Sequence, residues 1–289
     1  MQNTNGGMNG KVVLITGGTS GIGKATATAL AAMGAEVVVA GRNREKGETV
    51  VEEIRRDSGS AGVSLLLADL AAKAEVRRLA EEFQERHDRL DVLVNNAGLI
   101  QSRRTETPDG IETTLAVNHL APFLLTNLLL DLLKESAPSR IVTVSSEGQR
   151  WAKMDLDDLQ SRRRYRPFQV YGTTKLANIM FTNELAERLE GTGVTANCVH
   201  PGGVNTNFGT NNRGFTTLLF RAFKPFMRSP EQGADTVIYL AASPDVEGMT
   251  GKYLTDRKLI TASEEAYDES LRRKLWEISE ELTGLKVAA

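Results

Sequence analysis

The 289-residue sequence has one cysteine, a nearly neutral balance of charge and no long unbroken apolar run. Because Cys198 stands alone, no internal disulfide or cysteine-based metal site can form, and its apolar neighbours predict an inert core position. The three histidines show no metal-ligand spacing, so we predict no metal site. A formal net charge of −2 offers no electrostatic attraction for nucleic acid, which we do not expect as a partner.

The N-terminal residues and the most apolar segment both argue against a membrane protein. Residues 1–10 lack the basic start and apolar stretch of a signal peptide and are predicted to form a disordered tail. A membrane span needs about 20 mostly apolar residues. The segment Leu115–Leu133 is interrupted by four polar residues: Asn118, His119, Asn127 and Asp131. We expect a buried helix there, and a cytoplasmic protein without a membrane anchor.

Apolar, β-rich runs alternate with helical patterns along the chain, which is typical of a parallel sheet with helices on both faces. The predicted fold is α/β: a single Rossmann-type, doubly wound domain over residues 11–289, with a seven-stranded, mainly parallel sheet. The predicted strands are Val12–Thr16, Glu36–Ala40, Val63–Leu67, Asp91–Asn95, Arg140–Ser145, Val194–His200 and Lys252–Leu254. The predicted helices are Ile22–Met33, Arg44–Asp57, Lys73–His87, Ile111–Leu133, Tyr171–Leu189, Glu231–Ala242 and Ser263–Leu282.

The first predicted strand runs into a turn that contains Gly17, Gly21 and Gly23, and then directly into a helix. Glycines let the backbone approach a pyrophosphate, and the N–H groups at a helix N-terminus favour its negative charge. The spacing differs from G-x-G-x-x-G, and glycine is also common in ordinary turns. The position between the first strand and the first helix nevertheless favours a nucleotide site.

The end of the second strand indicates which dinucleotide binds. An NAD site places an acidic side chain there for the ribose 2′-hydroxyl, whereas an arginine suits the 2′-phosphate of NADP. Here the strand ends in Gly41-Arg42 without a carboxylate, and Arg42 can offer a planar guanidinium to a phosphate. We therefore predict NADP(H) as the cofactor. The alternatives are an ordinary surface arginine and an NAD-linked alcohol dehydrogenase.

Tyr171 and Lys175 lie four residues apart in a predicted helix, so they share one face about one turn apart. A free tyrosine has a pKa of about 10, and a neighbouring ammonium lowers that pKa toward the range of a general acid and base. Ser145-Ser146 and Asn95-Asn96 follow two other strands, at the sheet edge where open α/β sheets bind ligands. Asn118 lies inside an apolar helix and must be hydrogen-bonded there, although a capping or packing role is the alternative.

Together these residues resemble the short-chain dehydrogenase/reductase family, with every motif in that family's order. The motifs are TGGTSGIG at 16–23, NNAG at 95–98, Asn118, Ser146, YGTTK at 171–175, and Pro201-Gly202 with Thr206. The resemblance implies that Tyr171 exchanges the proton, while Lys175 lowers the tyrosine pKa and holds the ribose. It also implies that Ser146 steadies the substrate oxygen and that Asn118 supports a water relay. Family members often pair through their long helices, which implies a homodimer or homotetramer.

The same resemblance assigns the cofactor site, with Asp69 at the adenine and Pro201 to Thr206 at the nicotinamide end. The implied cofactor-binding residues are Gly17, Thr19, Ser20, Gly21, Ile22, Gly23, Arg42, Asp69, Leu70, Asn96, Ala97, Gly98, Tyr171, Lys175, Pro201, Gly202, Val204 and Thr206.

Within the family, residues 117–142, 175–197 and 251–258 are most similar to the retinol dehydrogenase-like branch. Membrane-bound members of that branch carry an N-terminal anchor, which we do not expect here. In the family, the region after Pro-Gly covers the substrate. Here residues 205–229 hold five of the nine phenylalanines: Phe208, Phe215, Phe220, Phe223 and Phe226. We predict a helical lid and a hydrophobic aldehyde, ketone or alcohol substrate. Packing of these rings on the domain or on a second subunit is the alternative.

A non-catalytic nucleotide-binding sensor is the main competitor from another functional class, because a fold does not determine a function. Such a protein typically lacks one of the four resemblance-implied catalytic residues, and all four are present. A sugar epimerase usually needs a longer C-terminal substrate domain than residues 256–289 provide. His119 and His200 are expected to be structural.

Overall fold

The computed structural model describes residues 7–204 and 227–285. Eight strands form one sheet in the order β3-β2-β1-β4-β5-β6-β7-β8, in which β1 to β7 are parallel and β8 is antiparallel. The strands are β1 Val12–Thr16, β2 Glu36–Gly41, β3 Val63–Leu67, β4 Val92–Asn95, β5 Ser139–Val144, β6 Val194–Val199, β7 Lys252–Thr255 and β8 Lys258–Leu259. The α/β, doubly wound prediction is confirmed. The predicted count of seven strands missed β8, since a two-residue strand has no periodicity to detect.

Helices connect the parallel strands and cover both faces. They are α1 Gly21–Ala32, α2 Arg44–Ser58, α3 Lys73–Arg86, α4 Thr113–Leu115, α5 Ala121–Leu128, α6 Leu130–Glu135, α7 Pro167–Arg188, α8 Pro230–Ala242 and α9 Glu269–Thr283. A π-helical turn, Ala116–Leu120, joins α4 to α5. Short 3₁₀ turns occupy Glu147–Trp151, Leu156–Asp158, Pro244–Val246 and Glu264–Tyr267.

Three helix predictions require correction. The helix predicted as Tyr171–Leu189 begins at Pro167, because proline is favoured at the first position of a helix. The predicted single helix Ile111–Leu133 is divided into α4, the π-helical turn, α5 and α6. Pro122 has no N–H to donate to the carbonyl four residues earlier, that of Asn118, so the helix widens at this point. The terminal helix begins at Glu269 rather than Ser263, because the Asp268 side chain caps it by accepting from the Leu271 amide at 3.0 Å.

The core lies in two layers because successive strand side chains point to opposite faces of the sheet. Val13 and Ile15 of β1 pack in the layer that contains residues of α1, α2 and α8. Leu14, from the same strand, packs in the layer with residues of α3, α5 and α7. A third apolar cluster lies where α7 meets α9, around Leu176 and Leu275.

The strand order reverses direction between β1 and β4, since β2 and β3 lie on one side of β1 and the later strands on the other. Connections leave this point in opposite directions, which opens a crevice at the carboxyl ends of the two strands. The glycine turn follows β1 and the Asn95-Asn96-Ala97-Gly98 sequence follows β4, so both lie at the crevice.

Met8, within the predicted N-terminal tail, packs against the folded domain. Met8 is 4% exposed, and its amide donates to the Met33 carbonyl at 3.2 Å.

Thr206 and the five clustered phenylalanines lie outside the described residues. In the ranges 7–204 and 227–285, none of the helices combines the length and the apolar character needed to cross a membrane.

Candidate active site

The glycine turn (residues 17–23) is compact in a way that only small residues allow. Gly17 and Gly21 have φ values of +66° and +52°, which L side chains rarely adopt. A Cβ on Gly23 would lie 2.4 Å from the Gly17 carbonyl oxygen. Glycine at position 23 is therefore needed for the first turn of α1 to pack against the end of β1.

Asn96 attaches the loop after β4 to this turn. Its Nδ2 donates to the carbonyls of Thr16 at 2.8 Å and Gly17 at 3.3 Å. In return, Thr16 Oγ1 accepts from the amides of Asn96 at 3.0 Å and Ala97 at 3.1 Å. These four bonds hold the two sides of the crevice together.

The start of α1 fits an anionic phosphate. Ser20 occupies the N-cap position, and its side chain makes no capping hydrogen bond to the helix amides. The N-terminal amides and the positive end of the helix dipole therefore face the turn without this competitor. The turn and helix start have the donor groups that a dinucleotide pyrophosphate requires, and Thr19 and Ile22 lie within the same segment.

The end of β2 lies against the glycine turn and is followed by an exposed arginine. A Cβ on Gly41 would lie 2.7 Å from Thr19 Cγ2, so glycine allows β2 to end against the glycine turn. Arg42 is exposed, and among the described residues it forms no hydrogen bond or ion pair. At the end of β3, Asp69 is exposed and accepts from the Ala71 amide at 3.1 Å, while Leu70 packs against the core.

Ser146 and Tyr171 are brought together from different elements. Ser146 follows β5 and caps the 3₁₀ turn by accepting from the Gly148 amide at 3.2 Å. Tyr171 lies in the second turn of α7, and a Cβ on Gly148 would lie 3.5 Å from its ring and 3.6 Å from Ser146 Oγ, so the two side chains are close neighbours around this glycine. The contact depends on close packing, because a Cβ on Gly172 would lie 2.5 Å from the Gly148 carbonyl oxygen.

The pKa of Tyr171 differs in direction from the sequence-based expectation. Burial of the hydroxyl raises this pKa to about 12, and the hydrogen bond to Ser146 offsets only part of that rise. Lys175 Nζ lies 5.7 Å from the centroid of the tyrosine ring. In the protein alone, Tyr171 is therefore protonated at neutral pH.

Lys175 is buried, with 3% of its surface exposed. Its Nζ donates to the Val144 carbonyl at 2.8 Å. Burial lowers its pKa to about 8, against a smaller raising effect of Cys198. A Cβ on Gly98 would lie 3.5 Å from this Nζ, so the loop after β4 and helix α7 meet at the lysine.

Asn118 is fully buried in the π-helical turn, a type of irregularity that often marks functional sites. Its Oδ1 accepts from the Leu99 amide at 2.8 Å, and its Nδ2 donates to the Leu99 carbonyl at 2.9 Å. Nδ2 also donates to Thr174 Oγ1 at 3.1 Å. The side chain thus connects the loop after β4 to α7.

Hydrogen bonds to other groups of the protein hold Ser145, His119 and His200 in place. Ser145 is buried and donates to the Lys175 carbonyl at 2.8 Å. His119 is fully buried, its Nε2 lies 2.9 Å from Ser279 Oγ, and burial lowers its pKa to about 4. His200 accepts from the Glu147 amide at 3.2 Å, and burial lowers its pKa. Among the described residues, no group of three His, Cys, Asp or Glu side chains could hold a metal ion.

The segment after β6 is bordered by residues that the sequence analysis missed. Gly202 has a φ of +82°, and a Cβ there would lie 2.8 Å from Arg228 Nε. The Arg228 amide donates to the Gly203 carbonyl at 2.8 Å, and its guanidinium pairs with Asp256 at 2.9 Å. Val204 forms a bridge with Arg228. No local motif marks Arg228 or Asp256, because they are distant in sequence from the residues they contact.

The comparisons with known proteins agree on one family. The model of the short chain dehydrogenase family matches residues 11–215. Human retinol dehydrogenase 14 is 46% identical, over 96% of this chain and 88% of the relative. The protein named "Putative daunorubicin C-13 ketoreductase DnrU", from Streptomyces sp. (strain C5), is 44% identical over 96% of this chain and 94% of its own.

Solved structures give the same result for the fold. An uncharacterized protein from Mycobacterium paratuberculosis superposes with a TM-score of 0.79 at 32% identity, covering 97% of this chain and 96% of its own. The NADP active-site complex of RhlG from Pseudomonas aeruginosa gives a TM-score of 0.67 at 27% identity, covering 85% of this chain and 94% of its own.

Proposed function

The chain belongs to the short-chain dehydrogenase family, as a retinol dehydrogenase-like oxidoreductase, and on that premise we propose that it uses NADP(H) to interconvert carbonyl and alcohol groups of a hydrophobic small molecule. We propose Tyr171 as the general acid and base. The observation that carries this proposal is the proximity of Tyr171 and Ser146 around Gly148, together with the buried Lys175 beside the loop after β4, at the crevice that the glycine turn borders.

The proton chemistry follows from the state of these side chains. A tyrosine with a pKa of about 12 holds its proton at neutral pH, which is the form required to donate to the carbonyl oxygen during reduction. Ser146 has one hydroxyl hydrogen, which can be directed at the same substrate oxygen. Two donors placed in this way favour the negative charge that develops on that oxygen.

The nicotinamide, when bound, supplies or accepts the hydride, and the positive charge of its oxidised ring favours the phenolate needed for alcohol oxidation. The glycine turn and the start of α1 would hold the pyrophosphate. The exposed Arg42 would pair with a 2′-phosphate, which supports NADP(H) over NAD(H). Lys175 would hold the ribose.

The substrate proposal rests on the relatives and on sequence composition. The relatives are named for retinol and for the C-13 ketone of daunorubicin, and both names support a bulky substrate with an alcohol or carbonyl group. The phenylalanines within residues 205–229 support an apolar substrate by their composition alone.

The test follows NADPH absorbance against aldehydes and ketones of increasing chain length. Tyr171→Phe should lower kcat by about 100- to 10,000-fold, because it retains the ring and removes the transferable proton. Tyr267→Phe is the matched control, since its exposed phenol accepts only from the Ala262 amide among the described residues. Near wild-type turnover by Tyr171→Phe would falsify the proposed mechanism.

A further inference from the structure

Two adjacent threonines, Thr173 and Thr174, lie between Tyr171 and Lys175, and their surroundings differ. Thr174 is 1% exposed; its Oγ1 donates to the Tyr171 carbonyl at 2.7 Å and accepts from Asn118 Nδ2 at 3.1 Å. Thr173 is partly exposed, and its hydroxyl makes a long bond of 3.4 Å to the Lys153 carbonyl. The same side chain thus occurs once in a buried network and once at the surface.

The Thr174 hydroxyl completes the hydrogen bonding of Asn118. One Nδ2 hydrogen and the Oδ1 of Asn118 are used by the backbone of Leu99, and the second Nδ2 hydrogen is accepted by Thr174. An amide has two hydrogens to donate, so both are accounted for. Without the Thr174 oxygen, a buried N–H would lack this acceptor, which is costly inside a protein.

We propose that Thr174 is a positioning residue that locks the π-helical turn to α7 through Asn118, and so sets the location of Tyr171 and Lys175 in the crevice. This inference rests on the proposed roles of those two residues. If Asn118 rotates to find another acceptor, its bonds to Leu99 must lengthen or break. The loop after β4, which contains Leu99, would then shift. In the present structure this loop lies close to both side chains, since a Cβ on Gly98 would lie 3.6 Å from Asn118 Oδ1 and 3.5 Å from Lys175 Nζ.

Three variants separate the hydroxyl from the bulk of the side chain. Thr174→Val is nearly isosteric and should lower kcat by about 10- to 100-fold, the range expected when reacting groups are misplaced by about 1 Å. The KM for the carbonyl substrate should stay within about twofold, because the substrate-binding surface is retained. Thr174→Ser keeps the hydroxyl and should restore most of kcat, while Thr173→Val should behave as wild type.

A measurement on the cofactor-free protein tests the same coupling without catalysis. Hydrogen exchange at the Leu99 amide should be faster in Thr174→Val than in wild type, and unchanged in Thr174→Ser and Thr173→Val. Wild-type kcat and wild-type exchange in Thr174→Val would overturn the inference, as would an equal loss of kcat in Thr173→Val. If Tyr171→Phe remains active, the proposed function fails instead, and Leu99 exchange still decides whether Thr174 locks Asn118.

Discussion

The glycine turn and helix α7 lie at the same edge of the sheet, but their conformations depend on different features of the sequence. The turn depends on missing side chains, since a Cβ on Gly23 would lie 2.4 Å from a backbone oxygen. Around α7, buried polar side chains such as Lys175 and Asn118 have well-formed hydrogen bonds to the protein. One half of the candidate site therefore consists mainly of backbone groups, and the other half holds side chains in a fixed arrangement.

The same contrast separates the two cations proposed to meet the cofactor. Arg42 is exposed, whereas Lys175 is buried and bonded to the Val144 carbonyl. An exposed cation gains little from one more partner because water screens it. A buried ammonium cannot be replaced without changing the groups packed around it. We therefore expect substitutions near α7 to have larger effects than those at the end of β2.

The largest effect is expected for Lys175→Met, which removes the buried charge while retaining an unbranched chain. We expect kcat to fall by about 100- to 10,000-fold, the range of a lost acid–base system. Steady-state NADPH oxidation measures it. The exposed Lys153→Met is the matched control, and an equal loss in both variants would contradict the role assigned to Lys175.

His119 provides the next largest effect and needs no cofactor. Burial lowers the pKa of His119 from 6.5 to about 4. At a pH between these two pKa values, His119 is protonated in the unfolded chain and neutral in the folded protein. The free energy of unfolding should therefore decrease as the pH falls through this window, by up to about 3 kcal/mol. His119→Gln should flatten this dependence in urea unfolding series. A slope identical to wild type would show that His119 does not cause it.

Gly23→Ala tests the other half of the site. The added Cβ would meet the Gly17 carbonyl oxygen and Asn96 Nδ2, at 2.4 and 2.5 Å, so the turn must open. We expect NADPH to bind about 10- to 100-fold more weakly, as typical overpacking costs imply. A fluorescence titration measures this affinity. Gly62→Ala is the control, because its nearest neighbour would lie at 3.6 Å; equal affinity in both variants would count against the turn as the phosphate site.

The smallest effect is expected for Arg42→Ala. The ratio of kcat/KM with NADPH to that with NADH should fall about tenfold, as expected for the loss of one charge-assisted bond at an exposed site. Arg44→Ala, which removes an exposed arginine paired with Glu48, should leave the ratio unchanged. A preference for NADH in the wild-type protein would favour the alternative of an NAD-linked alcohol dehydrogenase.

Much of the fold could be predicted because its signals are local. The strands β1 to β7 are short apolar runs between polar segments, and the predicted bounds of β1 and β3 agree with the structure. Short spacings also single out the glycine turn and the pair Tyr171 and Lys175 as candidates. Helical periodicity did not predict the breaks between residues 111 and 135, because Pro122 and the π-helical turn change the number of residues per turn.

The contacts that hold the site together could not be predicted, because they join residues distant in the chain. Thr174 is one of two consecutive threonines, and nothing in the sequence shows which one contacts Asn118. Arg228 contacts Gly202 only through the three-dimensional fold. The raised pKa of Tyr171 also depends on burial, which a spacing of four residues does not report.

The π-helical turn Ala116–Leu120 contains one residue more than a regular α-helical turn, so the directions of the side chains around it depend on the number of residues in this region. It lets Asn118 reach α7 while Phe123, further along, still packs against Trp276 with ring centroids 4.9 Å apart. Each residue of a regular α-helix rotates the next by about 100°. Deleting one residue here would therefore turn either the amide or the ring away from its partner, so homologues and designed variants should tolerate substitutions in this stretch more readily than insertions or deletions.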